Sequence, residues 1–144
     1  MNILFTKDWR VSFSETDMAG IVHFIHYYKW MEITEHAFLE SLNIPIIEQN
    51  KDILTGWPRM EASCTFLSPL YFHDHVEIQL SIEDVNSKKL QYGFYFMQKS
   101  PTGQKLVAQG KMTTIYSELN VDTHKVVSKE ISKTILEKII GDLT

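Results

Sequence analysis

Between Phe24 and Leu42 apolar residues recur at the spacing of an α-helix; from Arg59 onward they alternate with polar ones, the spacing of strands. At 100° per residue Phe24, Tyr27, Tyr28, Met31, Phe38, Leu39 and Leu42 share one side of that helix. His26, Lys29, His36 and Glu40 fall on the other, and Glu35 lies within the apolar stripe. No glycine or proline interrupts the run, and Asn43 and Pro45 end it: asparagine tolerates a left-handed cap and proline cannot continue the ladder. Before the helix, Trp9, Val11 and Phe13 alternate with Arg10, Ser12 and Ser14, which predicts a first strand over 7–14, followed by a turn at 14–20. Residues 43–58 read as a connection carrying Pro45, Gly56 and Pro58.

Four strands follow. Ala62, Cys64 and Phe66 mark the first, closed by Ser68-Pro69, and Val76, Ile78, Leu80 and Ile82 mark the second. Leu90, Tyr92, Phe94 and Phe96 mark the third, and residues 104–117 the fourth, with Leu106, Ala108, Gly110, Met112 and Thr114 on one side. Ile131, Ile135, Leu136, Ile139 and Ile140 predict a C-terminal amphipathic helix closed by Gly141. Tight turns join antiparallel neighbours, so one apolar helix with such strands implies an α+β layer in which an antiparallel sheet wraps the helix.

At 144 residues the expectation is one domain, spanning 1–144. The net charge of -4 argues against nucleic acid as a partner, and no apolar run is long enough to cross a bilayer. The segment MNILFTKDWR lacks a signal peptide's apolar core, and Cys64 is the single cysteine, so a reducing, cytoplasmic setting is expected, with no disulfide and no cysteine-built zinc site. His23, His26, Glu32 and His36 imitate a metal set, but their angular scatter on a helix argues against one. No metal or other cofactor is expected. There is no Gly-x-Ser-x-Gly elbow for a serine triad.

The run Thr16-Asp17-Met18-Ala19-Gly20-Ile21-Val22-His23-Phe24 resembles the signature of the hot-dog-fold acyl-CoA thioesterases, in particular the 4-hydroxybenzoyl-CoA thioesterase family. Tyr27 to Glu32 resembles that family's aromatic-rich helix, Ser68-Pro69-Leu70 and His75 to Ile78 its second and third strands, and Ala108-Gln109-Gly110 its late strand; the likeness spans roughly residues 8–118. It implies a hot-dog fold, a homodimer or homotetramer with sites at the subunit interface, and hydrolysis of an acyl-CoA thioester. By position Asp17 matches the catalytic carboxylate, as nucleophile or general base. Phe24 matches the residue whose backbone N–H faces the thioester carbonyl. A related subgroup has histidine at that position, whereas here the imidazole comes one residue earlier, as His23.

The other candidates carry two readings each. Asp17 alone would be a turn residue, and His23 an ordinary hydrogen-bonded histidine at a helix start. Glu35 is either a second catalytic acid, as in another branch of the hot-dog enzymes, or a buried carboxylate held by a salt bridge. Ser63 and Thr65, facing away from Cys64, are candidates to bind substrate or water. Lys88 and Lys89 in a turn, with Arg59 as a further contributor, either meet the phosphates of coenzyme A or form a solvated tip. Two other functions share the fold: a hydratase or dehydratase acting on acyl thioesters, and a non-catalytic acyl-CoA-binding module. The hydratases pair an Asp and a His across four intervening residues; Asp17 and His23 have five between them.

Overall fold

The computed structural model describes residues 2–141. A five-stranded antiparallel sheet is built from β1 (Ile3–Arg10), β4 (Arg59–Phe66), β5 (His75–Val85), β6 (Lys89–Ser100) and β7 (Gly103–Ile115), in the order β1-β5-β6-β7-β4. A second sheet holds β2 (Glu48–Asn50), β3 (Ile53–Gly56), β8 (Ser117–Asn120) and β9 (Val126–Ser128), in the order β2-β3-β8-β9. The long helix α1 is Ile25–Ser41, and α2 is Lys133–Ile140, capped by the Ser132 hydroxyl, which accepts from the Ile135 N–H at 3.2 Å. The α+β expectation therefore holds.

α1 packs on the concave face of the large sheet through aromatic edges. Phe38 meets Phe5 and Tyr92 at ring distances of 6.0 and 6.4 Å, and Tyr27 and Trp30 meet Phe96 at 5.4 and 6.3 Å. Val76, Ile78, Leu80, Leu90, Phe94 and Ala108 complete the core beneath them. Gly110 of β7 faces Met31 of α1: a Cβ there would stand 2.5 Å from the Met31 sulfur, so a larger residue would force the Met31 side chain to move.

Several elements differ from expectation for local reasons. The first strand runs earlier, over Ile3–Arg10; Ser12 then starts a short 3-10 turn at Phe13–Glu15, which leaves Phe13 at the surface. On α1 the buried face includes Trp30 and Thr34, because Trp9 of β1 covers that flank (ring distance 6.4 Å). Phe24 precedes the helix and is exposed. The connection 43–58 contains β2 and β3, and the strand expected over 104–117 breaks at Tyr116, beyond which the chain enters the second sheet as β8. Residues 67–74 carry the chain from β4 across to β5, so β4 pairs with β7 rather than with its successor. Asn43 takes the left-handed conformation expected of it, at φ 56°.

β4 is thus an edge strand, and it is exposed along nearly its whole length: only Cys64 is half-buried, and Met60 and Phe66 stand open. A long, largely exposed edge strand is a template for pairing with another strand.

Candidate functional site

The segment between β1 and α1 is anchored by one carboxylate. Glu15 is 2% exposed, and its Oε1 accepts from the Ser12 N–H (2.9 Å), the Ser12 hydroxyl (2.9 Å) and the Trp9 indole N–H (3.1 Å). Oε2 accepts from the Trp30 indole N–H at 2.8 Å, tying the segment to α1. Burial pushes the Glu15 carboxyl up, but the bonds from Ser12, Trp9 and Trp30 outweigh it and hold it below the usual carboxylate range. The Glu15 carbonyl also accepts from His23 N–H at 2.9 Å, closing the loop that carries Asp17. Sequence reasoning passed over Glu15. Its signal was the Ser12-x-x-Glu15 spacing of a capping box, which the structure contains.

Within that loop the chain reverses tightly. Asp17 N–H donates to Ile21 O (2.8 Å), Gly20 N–H to Asp17 O (2.9 Å), and Thr16 bridges to Val22. Gly20 sits at φ +83°, open to glycine at no cost. One oxygen of Asp17 accepts from Ala19 N–H at 2.8 Å, which fixes the carboxylate while leaving its other oxygen without a partner among the described residues.

Asp17, His23 and Phe24 line one cavity of about 570 Å³, walled by Ile21, Val22, Tyr27, Phe66, Leu67, Ser68 and Pro69. The Phe24 N–H has no acceptor among the described residues, and it stands at the start of a 17-residue helix, where unpaired N–H groups carry partial positive charge. Burial, with Cys64 and Asp74 nearby, pushes the Tyr27 hydroxyl up to about 12, so it remains a neutral donor. The His23 ring lies 4.9 Å from the Phe24 ring and 6.3 Å from that of His26. A carboxylate, a free helix-terminal N–H and apolar walls can hold a carbonyl carbon between an attacking group and an oxyanion donor.

The remaining candidates lie elsewhere in this chain. Ser63 and Thr65 point to the opposite face of β4 and line a separate cavity of about 370 Å³ with Leu67, Gln109 and Lys111, so they do not reach Asp17. Glu35 is fully buried and paired with Arg59, whose two guanidinium nitrogens stand 2.5 and 3.3 Å from its oxygens; Glu32 lies 3.5 Å from the same group. Arg59 is therefore charge-compensated within the chain, and the salt-bridge reading of Glu35 matches the geometry. Lys88 and Lys89 form the β5–β6 turn, where the Asn86 side chain accepts both their N–H groups at 2.9 and 2.8 Å, and neither is in an ion pair. Among the described residues no three His, Cys, Asp or Glu gather into a metal-binding group, and no helix is long and apolar enough to cross a membrane.

Burial pushes the Glu35 carboxyl up to about 7 against the opposing pull of Arg59. The folded chain thus holds this proton at a pH where the unfolded chain has released it. The contribution of Glu35 to stability is fully present at low pH and declines as the pH rises from the unfolded value of 4.5 to about 7. Urea unfolding across that window should show the decline, and Glu35→Gln should flatten it. An unchanged profile in the variant would assign the slope to other groups.

Comparison with known proteins places this architecture among hot-dog thioesterases. The profile of the thioesterase-like superfamily matches residues 11–139. A solved gentisyl-coenzyme A thioesterase is 32% identical, covering 90% of this chain and 98% of its own, with a TM-score of 0.73. The 1,4-dihydroxy-2-naphthoyl-CoA hydrolase of Prochlorococcus marinus (strain MIT 9211) is 28% identical over 99% of both chains. A 4-hydroxybenzoyl-CoA thioesterase variant solved with 4-hydroxybenzoyl-CoA shares the fold at a TM-score of 0.81 and 18% identity, covering 93% of this chain and 96% of its own.

Proposed function

Because the chain belongs to the thioesterase-like superfamily and is by that kinship an acyl-CoA thioesterase, we propose that Asp17 and the Phe24 N–H carry out the hydrolysis in the cavity at the start of α1. The observation behind this reading is that the free oxygen of Asp17 and the unpaired Phe24 N–H border the same cavity. In one route the carboxylate attacks the thioester carbon and expels the CoA thiolate, and water then opens the mixed anhydride. In the other it takes a proton from the attacking water. In both, negative charge grows on the carbonyl oxygen, where the helix N-terminus meets it. A hydratase would consume an enoyl-CoA double bond without releasing thiol. Incubation with an enoyl-CoA should instead give thiol and no loss of the double bond by hydration; hydration alone would overturn the assignment. The single cysteine suits a cytoplasmic setting.

The site is proposed to be shared between two copies of the chain. Phe66, in the Asp17 cavity, ends β4, and Arg59 begins it, so seven steps of ~3.3 Å put about 23 Å between them. The Lys88–Lys89 turn belongs to the Arg59 end, since Leu90 pairs with Thr114 and Thr114 with Arg59. Within one chain the turn and the Asp17 cavity thus lie at opposite ends of β4. Two-fold antiparallel pairing of the exposed β4 edges brings one copy's turn toward the other's Asp17, and covers Met60 and Phe66. Light scattering at micromolar concentration should give a dimer or a dimer of dimers, and a fully active monomer would contradict the arrangement.

Lys88→Ala/Lys89→Ala tests the phosphate contact. Being remote from the thioester, it acts about equally on substrate and transition state, so KM should rise roughly tenfold while kcat changes little. The penalty should shrink in high salt, and a thioester lacking the nucleotide should not feel it. Unchanged CoA-ester kinetics at low salt would make the lysines a solvated tip.

A further inference from the structure

A second cavity, of about 420 Å³, lies between α1 and the small sheet and shares no lining residue with the Asp17 cavity. Its walls are apolar, with Leu39 from α1, Ile46, Leu54 and Trp57 from the chain leading through β3 to β4, and Leu119 and Val126 from β8 and β9. Tyr116 stacks near Trp57, at a ring distance of 4.7 Å, and fixes that wall. Val126 is 58% exposed at its outer part, although its neighbours in sequence give it no polar reason to be there. Its charged lining is formed by Glu32, Glu35, His36 and Arg59, with Thr55 and Ser117 as the neutral polar side chains.

The chemistry of this charged end selects a ligand. Both terminal nitrogens of the Arg59 guanidinium are already engaged, on Glu35, on the Trp57 carbonyl at 2.8 Å and toward Glu32. Burial lowers the proton affinity of His36, which at neutral pH adds no positive charge. At pH 8, where Glu35 has released its proton, two carboxylates face one cation, and what the end offers is acceptors. An anion entering here meets net negative charge in a poorly solvated place, whereas a hydroxyl finds a carboxylate oxygen to donate to.

We propose that this cavity is a second ligand site, taking a neutral, hydroxylated aromatic or alicyclic molecule of about ten to fifteen non-hydrogen atoms with its hydroxyl donated to the open Glu32 carboxylate at the charged end. The assignment does not rest on the thioesterase reading, since none of its residues belongs to the Asp17 cavity. Ring faces lie against Trp57 and Leu39, and the hydroxyl stops at the ion pair.

The test is direct binding to the full chain at pH 8, by calorimetry or by chemical-shift titration, with 2-naphthol as probe and naphthalene-2-carboxylate as its anionic counterpart. 2-Naphthol should bind saturably with a Kd on the order of 100 µM, and the carboxylate at least about tenfold more weakly. Glu35→Gln removes the repelling charge and should narrow that gap to about threefold or less. Val126→Trp, at an exposed position, should fill the mouth and weaken 2-naphthol at least about tenfold, while Ser68→Trp, which fills the other cavity, should leave it unchanged. Leu119→Trp provides a second filling variant if Val126→Trp does not fold. No saturable binding of 2-naphthol, equal binding of the carboxylate, or loss of binding in Ser68→Trp with retention in the filled variants would each overturn the proposal.

Discussion

Asp17→Asn should lower kcat at least about a hundredfold while leaving KM and stability close to those of the unchanged chain. The amide keeps the side chain's shape and its carbonyl can still accept from Ala19 N–H, so the turn survives. Asp17 is exposed and contributes little to the core, which removes unfolding as an explanation for lost activity. What is lost is the capacity to attack a carbonyl or to take a proton. Thiol release measured by single turnover, with urea unfolding run in parallel, separates chemistry from folding. Activity within a few-fold of the unchanged chain would exclude Asp17 from the mechanism.

Glu15→Ala should be the most damaging change to the fold of the site. It strands the N–H and hydroxyl of Ser12 and the indole N–H groups of Trp9 and Trp30, the last on a fully buried residue. Removing one charged acceptor from several part-buried donors costs about 3–5 kcal/mol. Because the same residue's carbonyl closes the loop onto His23, activity should fall as well, even at temperatures where the variant is folded. Glu15→Gln keeps one acceptor oxygen but turns an NH2 toward existing donors, so its cost should be smaller, about 1–3 kcal/mol. Urea denaturation gives the stabilities. A loss below about 1 kcal/mol for the alanine variant would mean that water satisfies these donors and that Glu15 is no anchor.

The sequence made some of this legible because the relevant physics is local. The alternation of Val76, Ile78 and Leu80, and of Leu90, Tyr92, Phe94 and Phe96, reads directly as strands buried on one face, and Asn43-Ile44-Pro45 as the end of a helix. The Thr16–Phe24 signature pointed to the turn where Asp17 and the Phe24 N–H now border one cavity. What stayed hidden depends on contacts distant in sequence. Trp30 is buried because β1 folds over it, and Glu15 matters because Trp9 and Trp30 converge on it. Arg59 looked like a free cation until α1 delivered Glu35 and Glu32 to it, 24 and 27 positions away in the chain. β4 alternates like a half-buried strand, yet within one chain it is exposed along nearly its whole length.

Thiol release across a panel of short-chain, long-chain and aromatic acyl-CoA esters tests the central claim most directly. The account predicts catalytic turnover with at least one class, one free thiol and one carboxylic acid appearing per ester consumed. Saturable binding of the esters with no thiol released from any of them would contradict it, and would leave the Asp17 cavity a binding site without chemistry.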